Sequence, residues 1–144
     1  MSEESSINKN PKAIAEHMLA NDAFSQWLGI EILACREAYC RVGMRIRPEM
    51  LNGMGSAHGG ISFSLADTAF AFATNSNGRH SVSIEASINH IEALKEGDYI
   101  TAESDFDVTK YKLGFQIIKV KREEELVALF KGIVYRSSKN WELK

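Results

Sequence analysis

LNGMGSAHGGISFSLADTAFAFATNS, from Leu51 to Ser76, is the stretch that decides the fold. Its middle, Ile61 to Ala73, reads ISFSLADTAFAFA and carries Asp67 as its one charge. Phe63, Ala66, Phe70 and Ala73 fall at helical spacing on one stripe, and Ile61, Leu65, Ala69 and Phe72 on another. A helix apolar on two stripes has to be covered nearly all round. What remains is a narrow face of Ser64, Asp67, Thr68, Ala71 and Asn75, built mostly from small residues that suit close contact with another surface. A carboxylate held there is partly desolvated, which raises its pKa and makes it a better general base.

The entry to this helix tells the complementary story. Ala57-His58-Gly59-Gly60 precedes the apolar run. Backbone N–H groups at a helix start are unsatisfied and sit at the positive end of the dipole. The bare backbone of Gly59 and Gly60 lets a substrate carbonyl approach and be held as an oxyanion. From His58 to Asp67 is nine residues, roughly 13 Å along a helix axis and about half a turn out of phase. Two such groups do not meet on one reacting atom within one chain. A second copy related by a two-fold axis brings its Asp67 opposite the first copy's Gly59, and makes two shared sites at once.

Outward from the helix, the pattern is mostly strand. Pro11, capped by Asn10, opens a short helix through Ile14, Ala15, Met18 and Leu19 to about Ala20, and a second short apolar piece runs from Phe24 to Gly29. Cys40, Val42, Met44 and Ile46 alternate with polar neighbours until Pro48. Past the Asn77-Gly78 turn, Val82, Ile84, Ala86 and Ile88 alternate in the same way. Strands follow over Tyr99 to Val108, Phe115 to Lys121 and Leu126 to Arg136. Four strands joined by turns favour antiparallel neighbours. The expected class is α+β, with a curved antiparallel sheet of five to six strands wrapped around one long central helix. Residues 1–10 read as a disordered lead-in and 11–144 as a single domain.

Composition removes several function classes. The 144 residues are 44% hydrophobic and 25% charged with a formal net charge of −2, which leaves no concentrated basic face for nucleic acid. No apolar run approaches the roughly 18 to 20 residues of a membrane span, and the N-terminus lacks the pattern of a signal peptide. The expected location is the cytoplasm, where Cys35 and Cys40 stay reduced. Gly53-Met-Gly55-Ser-Ala-His58 lacks the last glycine of a dinucleotide fingerprint. There is no G-x-S-x-G elbow and no P-loop, and the scattered histidines offer no zinc spacing. Nothing in these motifs calls for a metal or cofactor.

Asn52-Gly53, His58-Gly59-Gly60 and Ser64-Leu65-Ala66-Asp67-Thr68-Ala69 together resemble the hotdog-fold acyl-CoA thioesterases of the phenylacetic acid degradation type. The likeness continues through Ser83 to Asn89, Glu96-Gly97-Asp98 and Leu129-Phe130-Lys131-Gly132. It implies a hotdog fold paired into homodimers, often as homotetramers, acting on an acyl-CoA. It gives Asp67 the role of general base or nucleophile, Gly59 that of oxyanion donor from the other subunit, and His58 and Asn52 a hold on the thioester and water. Gly60, Ser64, Thr68 and Ser83 become expected substrate contacts. Where relatives commonly show a basic residue followed by proline, this chain has Glu92-Ala93. The coenzyme A phosphates are then left to Lys110, Lys112 or Arg122. The alternative is a non-catalytic acyl-CoA-binding hotdog module, which needs the cleft but not the aspartate; a hotdog hydratase pairs a different acid and histidine.

Overall fold

The structure, a computed structural model, describes residues 10–143. The expected lead-in, Asn10 aside, lies outside the described residues. Asn10 Oδ1 accepts the Ala13 N–H at 3.2 Å and Pro11 takes the first helical position, so helix α1 spans Pro11–Ala20. Asp22 caps a second helix, α2, Ala23–Leu28, which Gly29 ends in the left-handed conformation at φ 78°. Strands β1, Glu31–Arg36, and β2, Tyr39–Arg45, then form a hairpin. After a 3-10 turn at Pro48–Met50 comes the long helix α3, Gly59–Asn75, followed by β3, Arg79–His90, β4, Tyr99–Lys110, β5, Leu113–Arg122, and β6, Glu125–Asn140.

The six strands form one antiparallel sheet in the order β1-β2-β4-β5-β6-β3. Sequence order and spatial order part company at one point. Strands β3 and β4 are consecutive yet not neighbours: β3 pairs with β6, and β4 crosses to β2. The Glu96-Gly97-Asp98 turn therefore ends a crossover rather than a hairpin. Its Gly97 N–H donates to Ile46 O, and the Ile46 N–H donates to Asp98 O, which ties the crossover to the end of β2.

The sheet curls around α3, as the helix's two apolar stripes demand. Leu65, Ala66, Ala69, Phe70, Phe72 and Ala73 are buried, and they pack with Val42 and Met44 of β2, Ile118 and Val120 of β5, and Phe130 of β6. Burying each large side chain of this kind contributes about 1.5–3 kcal/mol. Close approach depends on Gly132 in β6. A Cβ there would lie 2.6 Å from the Phe70 ring, so glycine lets that ring rest on the sheet. The expected inward set on β2 is buried throughout, but Val82 and Ile84 of β3 are 58% and 59% exposed. The reason is position: β3 is an edge strand, and its register shifts between Ser83 and Glu85.

Gly132→Ala should overpack this contact and cost about 1–3 kcal/mol of stability. Urea unfolding of the two proteins checks it, and equal midpoints would remove Phe70 from the account of the curl.

Candidate active site

Helix α3 delivers the two halves of the site at different heights. At its start, His58 is the N-cap, and its Nδ1 accepts the Gly60 N–H at 2.9 Å. That bond makes Nδ1 an acceptor and leaves the proton on Nε2 of this exposed ring. The Gly59 N–H has no acceptor among the described residues. A cavity of about 350 Å³ opens beside it, walled by Asn52, Ser56, Ser62, His90 and Leu94. Asn52 organises the loop that leads in: its Oδ1 accepts the Met54 and Ser56 N–H groups at 2.8 and 3.2 Å. Gly55, at φ 83°, allows that tight turn.

Two residues here were not foreseen. The His90 ring packs against Gly59, where an added Cβ would lie 3.0 Å from Nε2, and Ser62 Oγ bridges the Gly59 carbonyl and His90 Nδ1 at 3.3 Å each. Strand parity carries the signal that would have found His90. It shares the inward face of β3 with Ala86 and Ile88, which directs it toward the helix start.

Asp67 sits in the middle of α3, half-buried, and has neither a hydrogen bond nor an ion pair among the described residues. Burial pushes its carboxyl above the ordinary carboxylate value. It faces a second cavity, of about 470 Å³, whose walls are mainly apolar: Met18, Phe24, Phe63, Ala71, Phe72 and Trp141. His17, Asn21 and Asp22 also line this cavity, and none of them forms a hydrogen bond or ion pair with Asp67 among the described residues. An unpaired, desolvated carboxylate of this kind gains from taking a proton.

The rest of that narrow face is engaged within the chain itself. Thr68 is buried because α2 lies on it: its hydroxyl donates to Ser64 O at 2.8 Å and lies 3.3 Å from Ser25 Oγ, which donates to Asp22. Asn75 is buried too, holding Ala71 O and Ser81 O with its amide group. Ser64 turns its hydroxyl onto Gly60 O at 2.6 Å. Asp67 and Gly59 line different cavities, so one chain does not bring them together. Gly60 and Ser64 stand near the helix start, and Ser83 lies on the exposed edge strand. Lys110 and Lys112 line neither cavity; strand register puts them at the sheet end opposite Gly59. Arg122 is occupied by Asp98 at 2.8 Å and Glu125 at 3.1 Å. Among the described residues no group of histidine, cysteine and acid side chains is placed to hold a metal ion, and no helix is long and apolar enough to cross a membrane.

The chain is similar to known proteins in sequence and in fold. The thioesterase superfamily matches residues 54–127. A putative esterase of Archaeoglobus fulgidus is 38% identical over 129 residues, which is 89% of this chain and 84% of the relative. The acyl-coenzyme A thioesterase PaaI of Escherichia coli is 39% identical over 123 residues, 85% of this chain and 88% of the relative. Among solved structures, the E. coli PaaI protein from the phenylacetic acid degradation operon superposes with a TM-score of 0.88 at 35% identity, over 94% of this chain and 99% of that one.

Because burial raises the Asp67 pKa, the folded state disfavours the charged carboxylate. That penalty is present at neutral pH and disappears as pH falls below the ordinary carboxylate value, where both states are protonated. Asp67→Asn should therefore melt at a higher temperature than the wild type at pH 7, with the gap closing toward pH 3.5. A variant that melts lower at pH 7 would show that Asp67 has a stabilising partner.

Proposed function

The chain belongs to the thioesterase superfamily, and from that membership we propose that it hydrolyses the thioester of an aryl or medium-chain acyl-CoA to the free acid and coenzyme A. One observation carries the reading: a carboxylate without a partner, held out of water against an apolar cavity. A module that only bound acyl-CoA has no need of such a group, and its desolvation costs stability.

Asp67 accepts a proton from water as the oxygen attacks the thioester carbonyl. The carbonyl oxygen becomes an oxyanion and is held by the free Gly59 N–H of a second subunit. Collapse breaks the carbon–sulfur bond, and the Asp67 proton goes to the departing thiolate. In the covalent variant Asp67 itself attacks, giving an anhydride that water then opens. His58 Nε2–H and the Asn52 amide lie on the Gly59 side, suited to hold the thioester and the water. Gly60, Ser64 and Thr68 shape the passage between, and Lys110 and Lys112, reached across the two-fold axis, take the coenzyme A phosphates.

Two surfaces support the assembly this requires. Edge strand β3, with Val82 and Ile84 exposed, is open to pairing with the same strand of a second copy. On the outer face, Phe106, Val108, Leu113 and Tyr135 form an exposed apolar patch across β4, β5 and β6. That patch suits a second dimer, giving a homotetramer. The enzyme works in the cytoplasm with Cys35 and Cys40 as free thiols.

Thiol release from a panel of acyl-CoAs tests the activity. Asp67→Asn should lose about 10²–10⁴ in turnover while still binding coenzyme A; near-normal turnover would remove Asp67 from the chemistry. Gly59→Pro removes the oxyanion donor, and Gly59→Ala, which presses the same Cβ on the His90 ring but keeps the N–H, controls for crowding. Proline is tolerated at the first helical position, and His58, at φ −59° and ψ 138°, has the conformation that precedes it. The fold should survive with kcat down about 10²–10³. An unchanged kcat in a folded Gly59→Pro would assign the oxyanion to another donor.

A further inference from the structure

Trp141 stands just beyond the end of β6 and has been drawn back over α3. Its backbone N–H donates to Gly78 O at 2.7 Å, and its Nε1–H donates to Asn75 Oδ1 at 2.9 Å. Asn75 is a rigid anchor: it is buried, its amide group holds Ala71 O and Ser81 O, and its oxygen also accepts the Ser81 N–H at 2.9 Å. The indole is further fixed between two imidazoles. His80 lies 4.1 Å away at 30°, and His17 meets it edge-on at 5.8 Å and 74°. A tryptophan with this many constraints keeps one position.

That position is a wall of the Asp67 cavity. Along α3 the cavity passes Phe63, Asp67 and Ala71, and Trp141 is bonded to Asn75, the residue one turn beyond Ala71. Asn75 is eight residues past Asp67, about 12 Å along the axis. The carboxylate thus sits partway along an apolar slot, and the indole closes the slot at the C-terminal end of the helix. On the thioesterase reading above, on which this inference rests, the thioester lies at Asp67 and the acyl group extends into that slot. We propose that Trp141 is a specificity-determining residue, the end wall that limits the length of the acyl group this enzyme accepts. Its Nε1–H bond to Asn75 and its ring contacts with His80 and His17 hold the indole in place at that end. Its bulk is what the cavity feels.

The test compares kcat/KM for butyryl-, hexanoyl-, decanoyl- and phenylacetyl-CoA in the wild type, Trp141→Ala, Trp141→Leu and Trp141→Phe. With the wall removed, the ratio of decanoyl- to butyryl-CoA should rise about tenfold or more in Trp141→Ala and by less in Trp141→Leu, since a methylene or two in an apolar pocket carries discrimination of that order. Trp141→Phe, which keeps a ring at the end of the slot, should stay within about threefold of the wild-type ratio. A merely structural tryptophan gives a different result: all four substrates fall by the same factor, and the ratio does not move in either shortened variant. That outcome would overturn the proposal while leaving the thioesterase standing. Absence of turnover with every acyl-CoA in the wild type would instead overturn the thioesterase reading, and the end wall with it.

Discussion

Helix α3 presents apolar side chains around most of its circumference, so the sheet has to curl to cover it and leaves one stripe to the N-terminal helices and the tail. Phe70 rests on the sheet at Gly132 and Phe130, while Asp67 and Phe72 border the cavity on the other side. The same covering that stabilises the helix strips water from the carboxylate. The site's chemical character is therefore a product of packing: Asp67 is basic because the fold that buries its neighbours cannot leave it fully wet. A polar partner would have relieved the cost, and the structure supplies none among the described residues. In the proposed mechanism, that retained desolvation is what suits Asp67 to take a proton from water.

The second constraint is the length of a helical turn. Gly59 and Asp67 belong to one rigid rod, separated along it and opening into different cavities. No side-chain adjustment brings a backbone N–H at the rod's start to a carboxylate in its middle. In the proposed dimer, two-fold symmetry does so at no cost in new sequence, because each rod offers the other what it lacks. The exposed apolar edge of β3 fits such an arrangement, since an unpaired edge of this kind is otherwise a liability.

Much of this was legible in the sequence, for a physical reason in each case. Helix α3 was legible because its apolar positions repeat over four turns, and β2 because Cys40, Val42, Met44 and Ile46 alternate without a break. Asp67 and Gly59 stood out through contrast with their neighbours. What local pattern does not encode is partnership between strands. The separation of β3 from β4 depends on a crossover, and the exposure of Val82 and Ile84 follows from which strand ends at the edge. Long-range cover is hidden in the same way. Thr68 reads as part of a face suited to close contact, but its spacing does not say that Ser25 of α2 is what meets it, and Trp141 lies 66 residues from the Asn75 it binds.

The central claim is that Asp67 and Gly59 act together only across two subunits. Asp67→Asn and Gly59→Pro, each inactive alone, are unfolded, mixed in equal amounts and refolded together. Random pairing makes about half of the dimers mixed, and each mixed dimer holds one site with both groups intact, so the mixture should recover roughly a quarter of wild-type activity. Activity no higher than that of the two parents, in a mixture shown to contain mixed dimers, would contradict the shared site.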